Sequence, residues 1–108
     1  RFDKYGIKVV GQWIRTNSHK SSPAILSGSL RNTYYSGGKH FQVENINGAL
    51  IYARAKNVDY ILITYKEYMV IEKELLQYVR DKKIELAYKY PEEKHLNKRS
   101  VFLYKVLY

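Results

Sequence analysis

The sequence contains no cysteine, which excludes disulfide staples and thiolate metal sites. The same absence fits a reducing or an oxidising compartment, so it assigns no location. No apolar run approaches the roughly 20 residues needed to cross a bilayer, and no short apolar stretch follows a basic start as in a signal peptide. Histidine is scarce: His19, His40 and His95 stand apart, with no carboxylate or second histidine at a ligand spacing, so no metal and no other cofactor is expected. Ser27-Gly28-Ser29 lacks the glycine two residues before a serine that forms the strained elbow of hydrolases, and no nucleophile triad assembles. Gly37-Gly38-Lys39 has neither the glycine spacing of a phosphate loop nor a hydroxyl residue after the lysine, where His40 stands; a tight turn explains it.

Acidic residues are the other shortage. Ten stand against 19 lysines and arginines, a formal charge of +9. Residues 1–54 carry 8 basic and 2 acidic residues, and residues 55–108 carry 11 and 8, so the first half holds +6 and the second +3. A field of this sign attracts nucleic acid, anionic lipid or an acidic partner alike, and a merely solvated Lys-rich surface carries it too.

What is present reads as one α/β domain. At 108 residues a second core would leave neither half enough buried surface. Phe2, Tyr5, Val9, Val10, Trp13 and Ile14 recur at three- and four-residue steps, predicting an amphipathic helix capped by Asp3. Because the chain starts at Arg1 inside that pattern, it is expected to be a fragment of a longer protein. Ala24-Ile25-Leu26-Ser27, between Pro23 and Gly28, predicts a buried strand, and His40–Val43 a weaker one. Ile46, Ala49, Leu50 and Ala53 mark a helix with Asn45 or Asn47 as N-cap and Asn57 in the left-handed C-terminal conformation. Tyr60-Ile61-Leu62-Ile63 is continuously apolar, as in a central strand covered on both faces and parallel to the first.

A further helix is expected over residues 68–82, from Tyr68, Ile71, Leu75, Leu76 and Val79. Two alternating runs close the chain, Ile84–Tyr90 and Val101–Leu107, joined by a charged connection over residues 91–100 expected to be mobile. The fold class is therefore α/β: a mixed sheet of four or five strands, helices on its faces, the last two strands antiparallel.

Parallel strands at 24–27 and 60–63 would bring Ser27, Ser29 and Arg31 near Thr64, Tyr65 and Lys66, with Tyr34 and Tyr35 overhead. Hydroxyls, two cations and aromatic faces suit an anionic or sugar-like group, whereas the lack of paired carboxylates argues against acid/base catalysis. Twelve tyrosines beside 19 basic residues raise nucleic-acid binding as an alternative, by base stacking and phosphate contact. Against it, Tyr60, Tyr68, Tyr88 and Tyr90 fall on core periodicities and no glycine-aromatic ribonucleoprotein motif is present.

Four phrases stand in order: Gly11-Gln12-Trp13-Ile14-Arg15-Thr16-Asn17, Pro23-Ala24-Ile25-Leu26-Ser27, Tyr34-Tyr35-Ser36-Gly37-Gly38-Lys39 and Val58-Asp59-Tyr60-Ile61-Leu62-Ile63. In that order, with Tyr104-Lys105-Val106 on the last strand, the chain resembles the C-terminal region of polytopic membrane glycosyltransferases similar to dolichyl-phosphate-mannose protein mannosyltransferases and lipid A aminoarabinose transferases. The resemblance implies a parent enzyme with a lipid-linked sugar donor, and a domain outside the cytoplasm, attached to the membrane through upstream helices. The family's catalytic acids lie among those helices and nothing here matches them, so it implies an accessory, non-catalytic domain. Its implied partners are the membrane domain of the same chain, a glycan, or anionic lipid headgroups that would account for the charge. Tyr34, Tyr35 and Lys39 are the contact positions it singles out.

Overall fold

A computed structural model describes residues 5–93 and 95–108. The elements are α1 (Tyr5–Asn17), β1 (Ala24–Ser27), α2 (Leu30–Thr33), β2 (Lys39–Gln42), α3 (Ala49–Ala55), β3 (Tyr60–Thr64), α4 (Tyr65–Arg80), β4 (Ile84–Tyr90) and β5 (Val101–Val106). A 3-10 turn, Tyr34–Ser36, follows α2 and another, Ile46–Gly48, precedes α3. The five strands form one mixed sheet in the order β2-β1-β3-β5-β4. β1 runs parallel to β2 and β3, with Ile25 opposite Tyr60 and Leu26 opposite Ile61, while β5 runs antiparallel to β3 and β4. The fold class expected from the sequence is the one observed.

The apolar run of β3 is continuous because both faces are covered. Ile61 and Ile63 join Leu26, Ile71, Leu75 and Phe102 in the core beneath α3 and α4. Tyr60 and Leu62 join Ile7, Val10, Ile14 and Leu103 beneath α1. β5 is likewise shared, with Val101 and Leu103 toward α1 and Phe102, Tyr104 and Val106 toward α4.

Several boundaries move for local reasons. Asn45 caps as expected, its side chain accepting from Asn47 N at 3.0 Å, and Asn57 is left-handed at φ 54°. α1 continues to Asn17, three residues beyond the last apolar position, where Asn17 Nδ2 donates to the Trp13 carbonyl at 2.9 Å. Asp3, its expected cap, lies outside the described residues. α4 begins at Tyr65 rather than Tyr68, because Thr64 and Glu67 form a reciprocal capping box that fixes the first turn. β4 carries a bulge between Leu86 and Tyr88, so Ile84 packs under α4 whereas Tyr88 and Tyr90 pack under α1. Lys94, in the connection expected to be mobile, is outside the described residues; beside it Asn97 and Ser100 form a turn, with Asn97 N donating to Ser100 Oγ at 2.9 Å.

A candidate anion site at the carboxyl ends of the parallel strands

At the end of β1 the chain turns toward the α1 side, where α2 and Tyr35 lie; at the end of β3 it turns the other way, into α4. Neighbouring parallel strands whose continuations part to opposite faces leave a crevice between them. Here it is an open cleft of about 1260 Å³.

Its floor is built by close approach. Glu67 Oε1 accepts from Thr64 N at 2.9 Å and from Thr64 Oγ1 at 3.0 Å, closing the first turn of α4. The other carboxylate oxygen lies over Gly28, where an added Cβ would be 2.7 Å from it. Any larger residue after Ser27 would displace the α4 cap or the end of β1. Ser27 is fully buried beneath the cleft; its Oγ accepts from Asn32 Nδ2 at 2.8 Å, and this bond ties α2 to the strand.

The charge around the floor is one-sided. Among the described residues Lys8, Arg31, Lys66, Lys98 and Arg99 line the cleft, against Glu67 as the one lining carboxylate, and that group is already committed to the α4 cap; Arg31 and Arg99 also have interactions of their own within the fold. Tyr5 and Tyr65 add aromatic faces with a polar edge, and Ser29, Thr64 and Ser100 stand among the lining residues. Among the described residues no group of three or more histidines and acids is placed to hold a metal ion.

Of the positions the sequence singles out, Ser29, Arg31, Thr64, Tyr65 and Lys66 come together in this cleft, and Ser27 supports it from below. Tyr34, Tyr35 and Lys39 do not line it. Tyr35 is half-buried under α1: its carbonyl accepts from Arg15 Nε at 2.7 Å, and a Cβ at Gly11 would stand 2.7 Å from its own Cβ. Tyr34 is exposed and packs edge-on against Tyr35. Lys39 pairs with Ala24 at the opposite, amino end of β1, its ammonium 5.3 Å from the Phe41 ring. The first and third of the four ordered phrases therefore meet each other, Gly11 and Arg15 against Tyr35, in a packing contact outside the cleft.

Sequence reasoning missed Lys8, Lys98 and Arg99. Lys8 is exposed on the first turn of α1, and the other two come from the β4–β5 connection, so only the closed fold carries them to the ends of β1 and β3. Thr64-x-x-Glu67 was the signal that would have placed the start of α4 there.

In comparison with known proteins, no family model matches the chain, and no curated protein or solved structure matches it.

Proposed function

We propose that the chain is a non-catalytic accessory domain of an integral-membrane glycosyltransferase with a lipid-linked sugar donor, lying outside the cytoplasm, and that its cleft receives a sugar phosphate or the phosphate of a lipid headgroup. The carrying observation is the set of lysines, Lys8, Lys66 and Lys98, brought from three separate segments to a cleft whose one carboxylate among the described residues already caps a helix. A phosphate gains charge-assisted hydrogen bonds from such a set, while the rings of Tyr5 and Tyr65 offer apolar faces to the sugar. Among the described lining residues no second carboxylate joins Glu67 to make an acid/base pair for a glycosidic bond. The ordered phrases supply the family part of the reading.

Nucleic-acid binding is the second reading: Tyr5 and Tyr65 beside the cleft's cations would serve it as well, but four of the twelve tyrosines are committed to the core. Tyr60 and Tyr104 are buried, Tyr88 stacks on Trp13 at 5.4 Å and Tyr68 on Phe102 at 4.2 Å.

The cleft is tested by calorimetric titration at low salt with mannose 1-phosphate, inorganic phosphate and mannose. Saturable binding of the phosphates and none of the neutral sugar is expected, weakened about tenfold or more by Lys8→Glu with Lys98→Glu, both exposed positions. Equal affinity in the double variant, or no saturable heat, rejects the cleft. The accessory reading is tested on the complete gene product, where an apolar multi-helix segment ahead of this domain is expected and its absence rejects it.

A further inference from the structure

α4 carries two different surfaces. Inward, Ile71 and Leu75 are buried and Tyr68 stacks on Phe102. Outward, Lys66, Met69, Val70, Lys73, Leu76 and Arg80 are all exposed. With Gln77 they fall within an arc of about 120° at 100° per residue, and Glu74 and Val79 are exposed beyond its two edges.

Two properties of this face are unusual together. Met69, Val70 and Leu76 are 55%, 62% and 46% exposed, where a helix packed on a core ordinarily shows polar side chains to water. The arc itself holds three cations and no acid; of the acids beside it Glu67 sits in the cap, Glu72 accepts from Tyr68 OH at 3.1 Å, Glu74 is exposed at one edge, and Asp81 accepts from Gln77 Nε2 at 2.9 Å while Arg80 Nη2 donates to Gln77 Oε1 at 2.8 Å. Apolar side chains interleaved with long cationic ones, rather than rimmed by them, suit a surface that is apolar at one depth and anionic just above it. Lysine and arginine stems lie along the apolar layer while their heads reach the phosphates.

We propose that the outer face of α4 lies on an anionic lipid bilayer, with Met69, Val70 and Leu76 entering the headgroup region and Lys73 and Arg80 meeting lipid phosphates. Lys66 belongs both to this face and to the cleft wall, so the cleft mouth opens at headgroup depth. The proposal goes beyond ligand binding in the cleft and rests on residues the cleft does not contain, so the two fail separately.

The test is flotation of the chain with vesicles of phosphatidylcholine alone or mixed equally with phosphatidylglycerol. Binding to the mixed vesicles, little to the neutral ones, and release by salt are expected. Lys73→Glu with Arg80→Glu lowers partitioning roughly tenfold or more, and Met69→Ser with Leu76→Ser lowers it severalfold at unchanged charge, by about the loss of two shallow apolar anchors. Both variants keep the wild-type circular dichroism spectrum and thermal melt, which shows that they fold. Three results overturn the proposal: wild-type partitioning by the Met69/Leu76 variant, an equal loss by the Lys8/Lys98 variant, or self-association in sedimentation that the Met69/Leu76 variant abolishes while the wild type ignores both kinds of vesicle.

Discussion

The two ends of the parallel strands make a direct comparison. At the amino end the chain uses its own polar groups to close itself. Asp59, just before β3, accepts from Ala24 N at 2.7 Å and from Lys20 Nζ at 2.8 Å, tying the start of β1 to the start of β3. Tyr108 OH donates to the Val58 carbonyl at 2.7 Å, and Arg54 Nη1 to the Leu107 carbonyl at 2.6 Å, so the C-terminus is fastened to α3 and the entry of β3. Arg15 is held by Tyr35 beside the small hollow at this end. At the carboxyl end the chains part, and among the described residues the one acid lining the cleft is absorbed by a helix cap while cations stand around the opening. Polar groups hold the fold at both ends, Asn32 to Ser27 and Thr64 with Glu67 at the carboxyl end, but only there do the exposed lysines Lys8, Lys66 and Lys98 gather around an open cleft.

Substitutions at the two ends should therefore separate stability from binding. Leu62→Ala is expected to have the largest effect, because Leu62 is fully buried in the strand both ends share. A loss of about 3 kcal/mol in denaturant unfolding, with weakened cleft binding, is expected. Asp59→Ala follows at about 2 kcal/mol, since Ala24 N loses its charged acceptor. The Lys20 pair adds little, as that lysine, held above its ordinary pKa by its bond to Asp59, is exposed. Phosphate affinity in the Asp59 variant should stay at the wild-type value; a parallel loss of affinity would break the comparison. Thr64→Ala, at the opposite end, removes half of the capping box and should cost about 1 kcal/mol. It should lower phosphate affinity slightly as well, since the Glu67 carboxylate keeps only its bond from Thr64 N and is held less firmly away from the cleft.

The smallest effect at neutral pH belongs to Tyr104. Burial holds its hydroxyl well above the usual tyrosine range, with the neighbouring Tyr68 and Glu72 charges adding to the shift. The native state thus prefers the neutral phenol, and that contribution is complete below about pH 10 and fades as pH rises through the elevated native value. Tyr104→Phe should leave neutral stability nearly unchanged and flatten the alkaline loss in thermal melts. The flattening is partial, because burial also raises Tyr68, Tyr88 and Tyr108. An unchanged alkaline slope would contradict it.

The parts of the fold legible in the sequence are those in which one residue type has one local reason to be there. Continuous apolar runs announced β1 and β3, and Asn45 and Asn57 carried the cap and the left-handed turn themselves. α2 and the turn after it carry no period; they are held by side chains reaching other elements, Asn32 to Ser27 and Thr33 to His40. The alternation Ile84, Leu86, Tyr88, Tyr90 reads as one face, yet the bulge at Ala87 divides it between two cores. In the site, Ser29, Arg31, Thr64 and Lys66 follow their own strands and were legible, whereas Lys8 and Lys98 arrive through packing of distant segments. Tyr35 was misplaced for the opposite reason: its nearness to Gly11 depends on a missing Cβ in another element.

The most direct test of the cleft is an amide-resolved nuclear magnetic resonance titration of the chain with mannose 1-phosphate. Saturating shifts confined to Gly28, Ser29, Thr64, Tyr65, Lys66 and Ser100, with residues 18–24 and Asp59 unmoved, are the expected result. Shifts centred on Arg15 to Ser21, or spread evenly over every exposed lysine, would contradict the assignment of the carboxyl end as the binding end.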